Sequence, residues 1–174
     1  MRLSEAISEY LRQLKNIRLA SRHTVAAYHR DLNCFLTHCG DVPLSTINRG
    51  QVQDWLVASH ASGLAPASLA RRLSALRSFL DTAGRMGWCS ENAADGLKAP
   101  KQPGRLPRTL PPEQTALFLQ STDAASENRD LALFAVMYGC GLRVSEVVGL
   151  NLADIDMGEA EMRVRGKGGK ERIA

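Results

Sequence analysis

Apolar side chains recur along the first hundred residues at the spacing of helix faces. Leu3, Ala6, Ile7, Tyr10, Leu11 and Leu14 fall at i, i+3, i+4 and i+7, one stripe of a first helix. Ser21 stands where it can cap a second, whose stripe is Val25, Tyr28, Leu32, Phe35, Leu36 and Cys39 and which Gly40 stops. Asn48 with Gln51 three residues on predicts a capping box, opening a third helix that carries Val52, Trp55 and Leu56. Pro66 suits the first turn of a fourth, with Leu69, Leu73, Leu76, Leu80 and Ala83 in line. Four amphipathic helices with short connections pack as a compact bundle.

The pattern then lapses. Residues 98–108 hold three prolines, four basic side chains and no acid. Proline favours an extended, semi-rigid chain, so a linker is predicted over 100–109, between domains at 1–99 and 110–174. Basic residues along it are either incidental to a plain connector or placed to follow a phosphate backbone.

Pro111, Pro112 and Glu113 open the next predicted helix, with Leu117, Phe118 and Leu119 on it. Residues 130–138 follow, nearly all apolar, and a helix apolar all round is expected to be buried. Gly139 and Gly141 are expected to break it and turn the backbone sharply. Arg143 then falls in the first turn of a further helix, where a cation gains nothing from the helix dipole. A cation placed so usually has an anion to meet, and the N–H groups of a helix start favour phosphate. Glu146, three residues on, shares its face. Residues 159–165 alternate polar and apolar strictly, 166–170 are glycine-rich with Lys167 at the tip, and 171–174 start a return strand. That is a β-hairpin. The fold class is mainly α, with a small β-hairpin or sheet near the end.

Composition narrows the function classes. At 174 residues and 44% hydrophobic there is material for one ordinary domain or two small ones. The net charge of +4 and pI near 9.1 suggest a polyanionic partner. The surplus lies early: residues 1–99 hold 12 Lys/Arg against 8 Asp/Glu, while 100–174 hold 10 against 10. No apolar run approaches the ~18 residues of a membrane span, so a cytoplasmic protein away from any membrane is expected. Cys34, Cys39, Cys89 and Cys140 lack C-x-x-C spacing, which predicts small buried side chains or free thiols and no metal site. On the fourth helix Arg71 lies opposite the leucine stripe, Arg72 and Arg77 lie at its flanks, and Ser68, Ser74 and Ser78 fill the rest. Such a face is either a solvated surface or a fit for a DNA groove, with arginine on phosphate or guanine and serine on phosphate oxygens.

Two stretches carry a resemblance. Gly-Leu-Arg-Val-Ser-Glu at 141–146, then Gly-Lys-Gly-Gly-Lys-Glu-Arg at 166–172 with Lys167 placed 24 residues after Arg143, resembles the first half of a tyrosine recombinase catalytic domain. Residues 67–79 and 92–101 are similar to the bacterial Xer branch of that family, on its XerC-like side. The resemblance implies a four-helix SAM-like core-binding bundle followed by the start of a mixed α+β catalytic domain. It implies site-specific recombination through a 3′-phosphotyrosyl intermediate, with neither metal nor cofactor.

By the same resemblance Arg143 is the first catalytic arginine, Glu146 supports and orients it, and Lys167 is the general acid for the leaving 5′-oxygen. Thr24, Arg30, Arg71, Arg72 and Arg77 of the bundle, with Lys101 and Arg105 of the linker, are the implied DNA contacts. Lys170 and Arg172 are expected to serve the DNA backbone or solvent. The implied partners are a double-stranded recombination site and related protomers, forming in the intact protein a heterotetramer with a XerD-like recombinase. The implied task is chromosome-dimer resolution.

The family's His-x-x-Arg, its further histidine or tryptophan and its tyrosine nucleophile lie downstream of the hairpin, so residues 1–174 read as C-terminally truncated. Tyr10, Tyr28 and Tyr138 are not expected to substitute. Alternatives stay open: a non-catalytic DNA-binding recombinase fragment, a phage or integron integrase, or a helical module for an acidic protein. The pairing of Gly-Leu-Arg with Gly-Lys-Gly argues against the last. With the first helix starting at residue 3, the extra arm-binding domain many integrases carry is not expected. Residues 1–174 alone are expected to form no covalent complex with a nicked duplex, checked by denaturing gel; a protein–DNA adduct would overturn the reading of a missing nucleophile.

Overall fold

In the computed structural model each of the four early stripes forms a helix, for reasons visible at the helix ends. Residues 1–100, 109–120, 127–166 and 169–174 are described, and the chain divides into two compact units, Met1–Gly104 and Arg105–Ala174. The first unit holds α1 (Leu3–Asn16), α2 (Arg22–Cys39), α3 (Arg49–Ala61) and α4 (Pro66–Arg85). Ser21 Oγ accepts the Thr24 N–H at the start of α2. Asn48 and Gln51 exchange side-chain and backbone bonds of 2.9 and 3.1 Å at the start of α3, the predicted capping box. Pro66 opens α4, and Gly40 leaves α2 at a φ of +73°, which a side chain would resist.

The inward stripes meet in one core. Tyr10 packs edge-to-face on Phe79 at 5.5 Å, and Phe35 on Trp55 at 5.1 Å. Around these rings sit Leu3, Ile7, Leu32, Leu44, Val52, Leu73, Leu76 and Leu80, all buried. After α4 the chain folds back, and Ala94 and Leu97 close the core. Asn92 pins this return, donating to Asp81 (2.6 Å) and to the Arg77 carbonyl (3.2 Å). Two expectations shift here. Leu56 and Tyr28 are only half-buried, and the polar residues Asp31, Ser59 and Thr82 are buried among the apolar ones. Ser78, placed on the polar face by its spacing, accepts the Tyr10 hydroxyl.

The second unit holds α5 (Pro112–Gln120), α6 (Glu127–Cys140), α7 (Val144–Val148) and three strands. α6 corrects the sequence reading twice. It runs on through Gly139 to Cys140, and no described side chain on it is buried. Burial needs neighbours as well as an apolar surface, and among the described elements α5 and α7 are those packed against it. Only Gly141 turns the chain, at a φ of +61°. The Leu142 N–H then reaches back to the Met137 carbonyl at 3.2 Å, and Leu142 is itself buried. This is the long backbone bond of a Schellman cap.

β1 (Ile155–Asp156), β2 (Glu161–Arg165) and β3 (Glu171–Ile173) form an antiparallel meander in that order. The hairpin is the expected one, starting two residues later, at Glu161. The two-residue β1 was not expected, because it is too short to show a period. Val164 is buried, and its register partner on β3 is Arg172. Among the described residues no helix is long and apolar enough to cross a membrane.

Phe79→Ala removes a fully buried ring from between α1 and α4, so the first unit should lose about 3–5 kcal/mol of stability. Trp55 and Trp88 both lie in that unit, so urea unfolding followed by tryptophan fluorescence measures it. A loss under about 1 kcal/mol would place Phe79 outside the core.

Candidate functional site

The Schellman turn delivers Arg143 in an extended conformation (φ −76°, ψ 152°) as the N-cap of α7, one step before the first turn in which its sequence placed it. Glu146 is then the third helical residue and folds back. Its Oε2 accepts the Arg143 N–H at 2.9 Å, and its Oε1 accepts Arg143 Nη1 at 2.9 Å. Glu146, expected as an orienting acid, thus bonds both the backbone and the guanidinium of Arg143.

The carboxylate has a third partner. Arg172 on β3 donates Nη1 to Oε1 at 3.2 Å and Nη2 to Oε2 at 3.1 Å. Arg172, expected to serve the DNA backbone or solvent, is 41% exposed and also commits two donors to Glu146. Strand alternation held the signal: Arg172 faces the same way as its partner Val164, which is buried. The Glu146 side chain is 4% exposed, whereas Arg143 is 74% exposed. The two bonds from Arg172, then the Arg143 N–H, hold the Glu146 carboxyl down at about 2, against the opposing pull of burial. A reachable guanidinium is therefore fixed by an unreachable anion, as binding a phosphate oxygen pair requires.

The first unit repeats the device. Asp31 on α2, its side chain 4% exposed, accepts from Arg71 Nη1 on α4 and lies 3.8 Å from Arg72 Nε. Burial pushes the Asp31 carboxyl up, and the charges of Arg71, Arg72 and Arg30 limit the rise. Arg71 remains 42% exposed. Arg72 is turned inward: it donates to Ser59 Oγ at 2.7 Å, and its guanidinium lies 5.7 Å from the Trp55 ring centroid. Arg77 is also committed to the fold, donating to the Leu97 carbonyl at 2.7 Å across the returning chain. Arg30 is exposed beside Asp31, and Thr24 shares a hydroxyl contact with Ser21 at the head of α2. Asp31 went unnoticed in the sequence, although it falls four residues before Phe35 on the inward stripe. Lys101, Arg105 and Lys167 lie outside the described residues.

Comparison with known proteins agrees with both units. Residues 7–87 match the family model of the phage integrase N-terminal SAM-like domain, and residues 108–174 match that of the phage integrase family. The chain belongs to this family, the tyrosine recombinases. It is 40% identical over 173 residues to the tyrosine recombinase XerC of Chromobacterium violaceum, covering 98% of this chain and 58% of the relative. To the XerC of Rhodospirillum centenum it is 41% identical over 182 residues, covering 97% and 53%. The chain thus spans rather more than half the length of these curated relatives. Among solved structures, a lambda integrase (75–356) dimer bound to a COC' core site aligns at a TM-score of 0.80 and 20% identity. That match covers 99% of this chain and 59% of the other. A lambda integrase tetramer bound to a Holliday junction also gives 0.80 at 20% identity, covering 100% and 48%. At that identity the likeness concerns the fold.

With Glu146 titrating at about 2 when folded, against 4.5 ordinarily, the unfolded chain takes up the proton first as pH falls. The stability that this cluster lends is full above about 4.5, declines below it and is gone near 2. Carbon-13 NMR of the Glu146 carboxyl should show a midpoint near 2. An ordinary midpoint would mean the three-way contact does not persist in solution.

Proposed function

We propose that this chain supplies the core-binding bundle and the first catalytic arginine of a XerC-like site-specific recombinase, one that cuts and rejoins DNA through a 3′-phosphotyrosyl intermediate. The observation that carries the reading is Arg143, exposed at the tip and locked at the base by buried Glu146. A phosphodiester under attack gathers charge on its non-bridging oxygens, and a fixed guanidinium aimed at them lowers the barrier without reorganising. The planar fork of arginine meets two oxygens at once, which lysine cannot do. Lys167, from its place in the hairpin sequence, is the proposed general acid for the leaving 5′-hydroxyl. The attacking tyrosine is proposed to lie outside residues 1–174. Covalent catalysis of this kind conserves the bond energy and needs no outside energy source.

In the same reading the first unit grips duplex DNA through α2 and α4. Arg71 on α4 and Arg30 on α2 offer exposed guanidiniums, and Thr24 lies in the first turn of α2. Arg72 and Arg77 act mainly by building the surface, since the fold uses their donors. Lys101 and Arg105 of the linker are proposed backbone contacts, and the linker, at 100–109, is proposed to join domains at 1–99 and 110–174. Identities of 40% and 41% to XerC proteins favour the Xer branch over integrases matched at 20%. With that branch come the proposed setting and partners: chromosome-dimer resolution at cell division, in the cytoplasm, in a heterotetramer with a XerD-like recombinase.

In a recombinase containing this chain, Arg143→Ala should slow strand cleavage by about 10²–10³-fold while leaving duplex affinity within about threefold, since phosphate contacts elsewhere dominate binding. Arg143→Lys should recover little of the rate. Covalent-adduct assays and fluorescence anisotropy read the two quantities. Cleavage unchanged in Arg143→Ala would remove the catalytic role. Duplex binding by residues 1–174 that stayed flat from about 50 to 200 mM salt would remove the phosphate grip.

A further inference from the structure

Glu146 offers about four lone-pair positions on its two oxygens, and the structure fills all four. Oε1 takes Arg143 Nη1 and Arg172 Nη1, and Oε2 takes the Arg143 N–H and Arg172 Nη2. Half of what holds this buried carboxylate therefore comes from β3, a strand 26 residues away in sequence. Gly166 lies against the same pair: a Cβ added there would lie 3.6 Å from both Arg172 Nη1 and Glu146 Oε1. Among the described residues Glu146 is the only acceptor that meets the Arg143 guanidinium.

We propose that Arg172 is a positioning residue, which holds the Glu146 carboxylate in register through a two-bond fork and so fixes the Arg143 guanidinium as a site for a phosphate group. The inference rests on the reading that Arg143 meets a phosphate. Its physical core is competition for Glu146. Arg143 binds that carboxylate with one guanidinium nitrogen and its own N–H, a grip that leaves both arginine and carboxylate free to pivot about the α7 start. Arg172 approaches from the sheet side and meets both oxygens in parallel, which fixes the carboxylate plane. Once that plane is fixed, the Arg143 nitrogens not bonded to Glu146 have a set direction. A lysine at 172 would keep the charge but meet the carboxylate as a point, without the planar fork. Arg172 also leaves the cluster with one positive charge in excess, two guanidiniums against one carboxylate. Its own side chain is 41% exposed, so that charge is felt where a phosphate would approach.

The test uses residues 1–174 as wild type, Arg172→Lys and Arg172→Gln, with inorganic phosphate as the probe. Phosphate is titrated while the Arg143 Nε–Hε resonance is followed by NMR, together with its relaxation in the free protein. In the wild type the resonance should be ordered and should shift with phosphate. Arg172→Gln should disorder it and weaken phosphate binding by about tenfold. Arg172→Lys, which keeps the charge and is the variant more certain to fold, should also loosen Arg143 and recover only part of the binding. Wild-type order and affinity in Arg172→Lys and in folded Arg172→Gln would reduce Arg172 to a strap between hairpin and helix, and the inference would fall. Failure of the underlying reading looks different: phosphate would leave Arg143 unmoved in the wild type itself, and the positioning role would fall with it.

Discussion

A carboxylate taken out of water must be met by charge and by hydrogen-bond donors, and this protein meets that requirement twice with pairs of arginines. Asp31 ties α2 to α4 in the first unit, and Glu146 ties the start of α7 to β3 in the second. A buried carboxylate left with one partner removed is strongly destabilising, so each cluster constrains which elements lie together. In both, at least one arginine stays reachable while the anion beneath it does not. Arg71 and Arg143 are thereby presented to solvent on rigid footings. Preorganised charge of this kind can act on a polyanion without first ordering a long side chain, a cost that free surface arginines bear.

The two units reach stability by different routes. The bundle is organised by its apolar core: Tyr10, Phe35, Trp55 and Phe79 fill it, and the chain after α4 returns to seal it through Ala94 and Leu97. The second unit, among its described residues, buries little beyond Leu142, Val164 and Glu146. Leu131, Tyr138, Val148, Leu152 and Met157 remain exposed. Its local order depends more on caps, register and the ion cluster. The Schellman turn at Gly141, the N-cap position of Arg143 and the β2–β3 register act in sequence, and each places one component of the Glu146 site.

The sites were partly legible in advance. Arg143 and Glu146 could be singled out because three residues of a helix start set their geometry, and local geometry follows from local sequence. The capping box at Asn48 and Gln51 and the proline at the head of α4 were readable for the same reason. Arg72 and Arg77 looked like surface charge, since spacing gives an angle around a helix axis but not what stands opposite. Trp55 with Ser59 in one case, and the Leu97 carbonyl in the other, decide what those arginines do.

Sequence alone therefore determined the helices of the bundle, their inward faces, the hairpin and the Arg143–Glu146 pair, because periodicity and capping are encoded within a few residues. It also determined the family, through motifs whose spacing survives in the linear chain. Only the tertiary structure decided that α6 lies half in solvent, that Asp31 is buried beneath Arg71, and that Arg172 completes the grip on Glu146. Each of these turns on partners 26 residues apart or more, or on neighbours a helix does or does not have. Periodicity says which face is apolar or charged; only packing says what meets it.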